Sequence, residues 1–221
     1  MGVTVRYATE ADAPALGNIN VAAFCHQNFS INAFPGQEPA AILPLKIARG
    51  LDKLADPTVQ VLVAVDDDTP DKRVVGYSRW TIPDEPSPVT LSADGQETIA
   101  RLTRGEMYPE GTKLEMIQEF LVMVKEKRAK YLRESEITLD FLGTLPEYQG
   151  RGVGSTLLRW GIEQAVKRQV GIFLEATMDG YSLYRKFGWQ DMEEVNIEFS
   201  MWGGEGTQKF VIMRLDAPLM N

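Results

Sequence analysis

Three observations in the 221-residue sequence predict an α/β fold. Strand-like and helix-like patterns alternate along most of the chain. A glycine-rich turn, Gln149-Gly150-Arg151-Gly152-Val153-Gly154, joins an apolar run to an amphipathic one. The stretch from Ile137 to Phe187 reads strand, helix, strand, helix.

The elements follow in order. Val3 to Ala8 alternates as a strand does, and Leu16, Ile19 and Phe24 then recur at helical spacing behind Asp12 and Pro14. A loop around Phe34-Pro35-Gly36 leads to a second helical pattern, Ala40 to Leu54, closed by Asp56-Pro57. Val59 to Val65 and Arg73 to Ile82 form a hairpin about a charged turn. From Pro83 to Gly111 the pattern dissolves into Pro, Ser, Asp and Gly, which predicts a long surface insertion. Glu115 to Tyr131 is a helix with Met116, Phe120, Met123 and Val124 on one side and a Lys/Glu/Arg run read as a solvated face. Strands at Ile137 to Leu145 and Gly171 to Thr177 alternate with helices at Gly152 to Arg168 and Tyr181 to Phe187, the last capped by Gly188. Val195 to Met201 and Phe210 to Leu215 form a final strand pair. One domain over 1–221 is expected, with an insertion at about 83–135, since 44% hydrophobic residues suffice for a sizeable core.

The net charge of −8 argues against a nucleic-acid partner and is compatible with a cationic substrate. The first residues lack the basic and apolar segments of a secretory signal, and no segment approaches a membrane span, so a soluble, cytoplasmic protein is expected. Cys25 is the single cysteine, which rules out an internal disulfide and fits a reducing compartment.

Glycines bring backbone amides close to an anion, and the unpaired amides of the following helix attract the same charge, so the glycine turn predicts a phosphate-bearing ligand. The G-x-G-x-G spacing, with Ser155 where a third dinucleotide-binding glycine belongs, makes a nicotinamide cofactor a weak reading despite Glu175 at the end of the next strand. A triphosphate loop fails, because no Lys-Ser or Lys-Thr pair follows.

Leu142 to Gly154 resembles the Gln/Arg-x-x-Gly-x-Gly signature, with its preceding strand, of the GNAT superfamily of N-acetyltransferases. Leu183-Tyr184-Arg185-Lys186-Phe187-Gly188-Trp189 is similar to that family's Leu-Tyr-x-x-x-Gly-Phe ending, and the element order from Val3 to Leu215 fits apart from the insertion. The resemblance implies a mixed, mostly antiparallel sheet with a splayed parallel strand pair and helices on both faces. It implies acetyl-coenzyme A as co-substrate, its pyrophosphate held by Gln149, Gly150, Arg151, Gly152, Val153, Gly154 and Ser155, and its pantetheine arm paired with the backbone of Leu142 and Thr144. Thr177 stands where many members carry Asn, so that contact is not transferred. Gly143, inside an apolar strand, marks a bulge or a close backbone approach on physical grounds alone.

Amine acetylation needs a polarised thioester, a neutral amine and a proton for the leaving thiolate. Backbone amides near Thr144 and Leu145 are candidates to polarise the carbonyl, and the resemblance places Tyr184 beside the sulfur as proton donor. Asp140, a carboxylate in an apolar strand, is the first choice of base, with a structural tie to a neighbouring element as the alternative; Glu119 and Glu136 are weaker and read as solvated. Cys25 and His26 are adjacent in a helix and do not face each other, which disfavours a Cys-based acetyl-enzyme. His26, Phe29 and Phe34 follow the first helix, where family members shape the acceptor pocket, and Trp80 and Trp202 read as core or pocket wall. The expected activity is acetyl transfer to a primary amine of a small molecule or peptide by direct attack in a ternary complex. A non-catalytic acyl-coenzyme A binding module is the alternative, and an NAD-dependent oxidoreductase a distant third.

Overall fold

The computed structural model describes residues 2–85 and 89–217; Pro86 to Pro88 of the expected insertion lie outside them. Seven strands form one sheet in the order β1-β2-β3-β4-β5-β7-β6. They are β1 (Val3–Tyr7), β2 (Val59–Asp66), β3 (Val74–Thr81), β4 (Ile137–Thr144), β5 (Ile172–Thr177), β6 (Gln190–Glu198) and β7 (Thr207–Leu215). All neighbours pair antiparallel except β4 and β5, which are parallel. The helices are α1 (Ala13–Phe24), α2 (Asn28–Ala33), α3 (Pro39–Ala55), α4 (Ala93–Thr103), α5 (Leu114–Tyr131), α6 (Val153–Arg168) and α7 (Met178–Lys186).

Alternation along β3 and β4 assigns the helices to two faces. Tyr77 pairs with Gly143, and a Cβ on Gly143 would touch Ile19 of α1; Gly76 points the other way, and a Cβ there would lie 2.8 Å from Val153 of α6. Trp80, fully buried on the α6 face, lies where a side chain on Gly161 would be, so that glycine is a packing requirement of the helix. The opposite face carries α1 packed on α3, with α5 farther along the sheet, where Met116 and Ile117 join Phe173 and Ile212 in a second apolar cluster.

Two helices were not legible in the sequence pattern. α2 occupies what reads as the start of a loop, and α4 lies within the insertion. The sequence does carry a start signal for α4: the Ser92 hydroxyl accepts the Gly95 amide proton and Asp94 stands in the first turn. Ile99 and Leu102, one turn apart, pack inward from it. The insertion therefore supplies two helices, and α5 reaches back over the sheet.

Candidate active site

β4 and β5 part company halfway along. Their pairing runs from Ile137 opposite Ile172 to Leu139 opposite Leu174 and stops, although β4 continues to Thr144 and β5 to Thr177. A fork opens between them. It leads into a cavity of about 940 Å³ lined by the ends of both strands, the glycine turn, α5, α7 and the end of α1.

A β-bulge determines what β4 offers to the fork. Arg79 of β3 pairs with Phe141 and Trp80 with Leu139, so Asp140 is an extra residue without a partner on β3. Below the bulge the Ile137 amide donates toward the β5 side, to the Gly171 carbonyl; above it the Leu145 amide donates toward β3, to the Val75 carbonyl at 2.9 Å. Backbone direction alternates along a strand, so the odd positions change sides across Asp140, and the amides and carbonyls of Leu142 and Thr144 are the ones that face the fork. The Thr144 carbonyl indeed accepts from the Gln149 side chain at 3.4 Å. Of the two amides considered for polarising a carbonyl, that of Leu145 is thus already used. Gly143 is not the bulge; it is a close approach, since a Cβ there would sit 2.7 Å from the Phe141 ring.

The glycine turn presents unpaired donors. Gly150 and Gly152 have φ of 72° and 89°, a left-handed conformation that favours glycine, and nothing lies within 4 Å of where their Cβ atoms would be. Gly152 is the N-cap of α6 and no side chain caps the helix, so its first amides face open space. Gln149, Gly150, Gly152, Val153, Gly154 and Ser155 line the cavity; the Arg151 guanidinium instead lies over the Tyr148 ring, 5.3 Å from its centroid. This arrangement fits a pyrophosphate, with amide donors and the positive end of a helix in one place.

Tyr184 of α7 is buried at the cavity wall, and its hydroxyl has no hydrogen-bond partner among the described residues. Burial pushes its phenol well above the ordinary tyrosine range, holding it protonated. Asp140 is tied to neighbours. Its Oδ1 meets Arg128 of α5 at 2.9 Å, and its Oδ2 accepts from the Thr81 hydroxyl at 2.6 Å. Arg128 also binds Glu175 at the fork end of β5 through two hydrogen bonds of 2.7 and 2.9 Å. Burial alone would lower the Arg128 guanidinium, but Glu175 and Asp140 outweigh it and hold it charged. Two carboxylates therefore share one cation at the fork.

Of the acceptor-side residues expected from sequence, only His26 lines the cavity, where its Nε2 lies 3.1 Å from Asp179. Phe29, within α2, and Phe34, at its C-terminal end, do not line the cavity. Phe29 packs on Phe120 with ring centroids 4.5 Å apart, and Phe34 is buried against α3. Cys25 lines a separate small pocket. Glu119 accepts a hydrogen bond from the Trp202 indole, and Glu136, expected to be solvated, is buried and paired with Arg214 at 2.9 Å. Sequence reasoning missed Arg128, Thr81 and Arg79. Arg128 was legible in one respect: it continues the i, i+4 row Phe120, Val124, so it lies on the inward stripe of α5 rather than on the solvated face.

The chain matches the Acetyltransferase (GNAT) family over residues 27–189 and belongs to that family. An acetyltransferase of the fungus Stachybotrys chartarum is 25% identical over 199 residues, covering 88% of this chain and 83% of the relative. In fold, the chain is similar to a Corynebacterium glutamicum structure described as histone acetyltransferase HPA2 and related acetyltransferase, with 23% identity, a TM-score of 0.64, and coverage of 100% and 99% of the two chains. It is also similar to yncA of Salmonella typhimurium, solved with its cofactor acetyl-CoA, at 15% identity and a TM-score of 0.50, covering 100% and 97%. The protein is thus an acyltransferase with the GNAT fold. The nicotinamide reading falls with this assignment, and Glu175, its supposed ribose contact, is held by Arg128. No helix among the described residues is long and apolar enough to cross a membrane.

Proposed function

We propose that the protein transfers an acetyl group from acetyl-CoA to a primary amine in a ternary complex. The observation that carries this reading is the fork, which joins an anion cradle at the start of α6 to a pair of carboxylates sharing Arg128. The cradle suits the pyrophosphate, and the backbone of Leu142 and Thr144 suits the amide-bearing arm. The surplus negative charge suits an incoming ammonium.

Bound acetyl-CoA supplies an electrophilic thioester. Asp140 anchors the ammonium and takes its proton, since a carboxylate has about four lone-pair positions and Arg128 and Thr81 occupy two. The amine nitrogen then bonds to the carbonyl carbon as the carbon–sulfur bond breaks, and the electron pair leaves on sulfur. Of the two fork-facing amides, Leu142 and Thr144, one is the donor for the developing oxyanion while the other stays paired with the arm. Tyr184 gives its proton to the thiolate and is reprotonated from solvent. Direct attack is favoured over an acetyl-enzyme because Cys25 faces the side pocket and His26 is engaged with Asp179.

Incubation with acetyl-CoA and a panel of primary amines, following free thiol, tests this reading. Amine-dependent thiol release is expected. Saturable acetyl-CoA binding with no release across the panel would favour a non-catalytic binding module.

A further inference from the structure

Beyond the fork, the α1 and α3 face of the sheet holds cations without acidic partners. Arg79 of β3 lines the cavity, on the same face as Phe141, whose ring it overlies at 5.9 Å. Its Nε is buried with no hydrogen-bond partner, and no carboxylate pairs with it among the described residues. Lys46 of α3 is half-buried behind it, over the Phe34 ring at 5.5 Å, likewise with no acidic partner among the described residues. Arg49, one turn farther along α3, bonds the Tyr108 hydroxyl and lies over its ring, with no acidic partner among the described residues. Burial, reinforced by Arg49 and Arg79, pushes the Lys46 ammonium down to about 8.

In a chain of net charge −8, Arg6, Arg73, Arg104, Arg128, Arg168 and Arg214 meet carboxylates, whereas Arg79 combines the lack of such a partner, among the described residues, with a buried, unbonded Nε. A half-buried cation left unpaired destabilises the fold, whereas an anion bound in the cavity would satisfy Arg79; Lys46 lines the separate small pocket beside Cys25 and adds positive potential behind it. Because Arg79 lines the wall, that anion would lie inside the same cavity as the fork. The register brings the two ends near each other: Asp140 bonds Thr81, which stands two residues along β3 from Arg79 on the same face.

We propose that the acetyl acceptor is a short zwitterion, an amine carrying a second, anionic group that Arg79 holds while Asp140 holds the amine. The proposal rests on the acetyl-transfer reading above and narrows its substrate class.

The test compares matched amines: β-alanine with propylamine, 4-aminobutyrate with butylamine, and 2-aminoethylphosphonate with ethylamine. Thiol release reports turnover, and calorimetry on protein saturated with coenzyme A reports binding without turnover. At least one anionic amine is expected to exceed its neutral partner tenfold or more in kcat/KM, through KM, and in affinity; the carboxylate and phosphonate arms identify the anion. Arg79→Met should collapse that ratio toward one, and Arg79→Lys should restore part of it. Acetyl-CoA affinity measured on each variant shows whether the fold is intact. Turnover or binding of the neutral amines equal to that of every anionic partner would overturn the proposal. Preferential binding of an anionic amine with no thiol release from any amine would sustain the site and overturn the acetyl-transfer reading instead.

Discussion

Arg128 reaches from α5 into the fork of the sheet and meets Asp140 at 2.9 Å, at the point where β4 leaves β5. The same guanidinium holds Glu175 on the opposite strand, so one side chain spans the opening. Arg128→Met leaves two carboxylates facing each other, each mostly buried. We expect a loss of about 3 kcal/mol, at the low end for a broken buried pair because the guanidinium remains partly exposed. Urea unfolding measures it, and wild-type stability in the variant would remove Arg128 as the brace.

Tyr184→Phe removes the phenolic hydroxyl and nothing else from the cavity wall. Turnover should fall by about 10²-fold or more with acetyl-CoA affinity unchanged, as for loss of a general acid. Because burial raises the phenol, its deprotonation lies above the ordinary value of about 10. The wild-type kcat profile should therefore show no alkaline decline from this group up to pH 10, and a decline near pH 9 that vanishes in Tyr184→Phe would contradict the raised phenol.

Gly152→Glu should abolish acetyl-CoA binding in calorimetry, because it fills and charges the cradle and strains a residue with φ of 89°. The conservative Gly152→Ala keeps the cradle neutral and carries only the left-handed penalty of about 1–2 kcal/mol. Retained affinity in Gly152→Glu would refute the loop as the anion site.

Lys46→Met should stabilise the protein at neutral pH. The folded-state value of about 8 lies below the ordinary 10.5, so the unfolded chain binds more protons between them and wild-type stability rises with pH through that window. The groups that face Lys46 are Arg49 on its own helix, Arg79 of β3 and Cys25 at the end of α1. The advantage of Lys46→Met, on the order of 2 kcal/mol at pH 7 after solvent screening, should shrink toward pH 10. Thermal melts of both proteins at pH 7 and pH 10 provide the comparison, and a constant difference would show that Lys46 is not the titrating group.

The strand and helix order was legible because Val59 to Val65, Ile137 to Leu145 and the Ser155 to Arg168 helix carry strong local periods, and the glycine turn is a local chemical signal. What was not legible is relational. Asp140 reads as an odd carboxylate in a strand, but its extra place in the register exists only against Arg79 and Trp80 of β3. Arg128 reads as one of a charged run until α5 is laid over the fork. Phe29 and Phe34 read as acceptor-pocket residues because α2, six residues long, has too few turns to show a period. Arg79 alternates with Tyr77 along an apolar strand, and only the lack of a partner for its buried Nε among the described residues singles it out.

The extra residue at Asp140 has an effect on how β4 meets other chains. Above the bulge, β4 is bonded to β3 on one side and open on the other, which makes it an edge strand in the middle of a sheet. Open edges recruit foreign strands and promote aggregation. Here the edge is walled by α5 and α7 and bounded by the glycine turn, so a narrow extended molecule can lie along it while a polypeptide strand in search of a partner meets helices first. The single inserted residue gives the protein a pairing surface that opens onto its own cavity rather than onto the outer edge of the sheet.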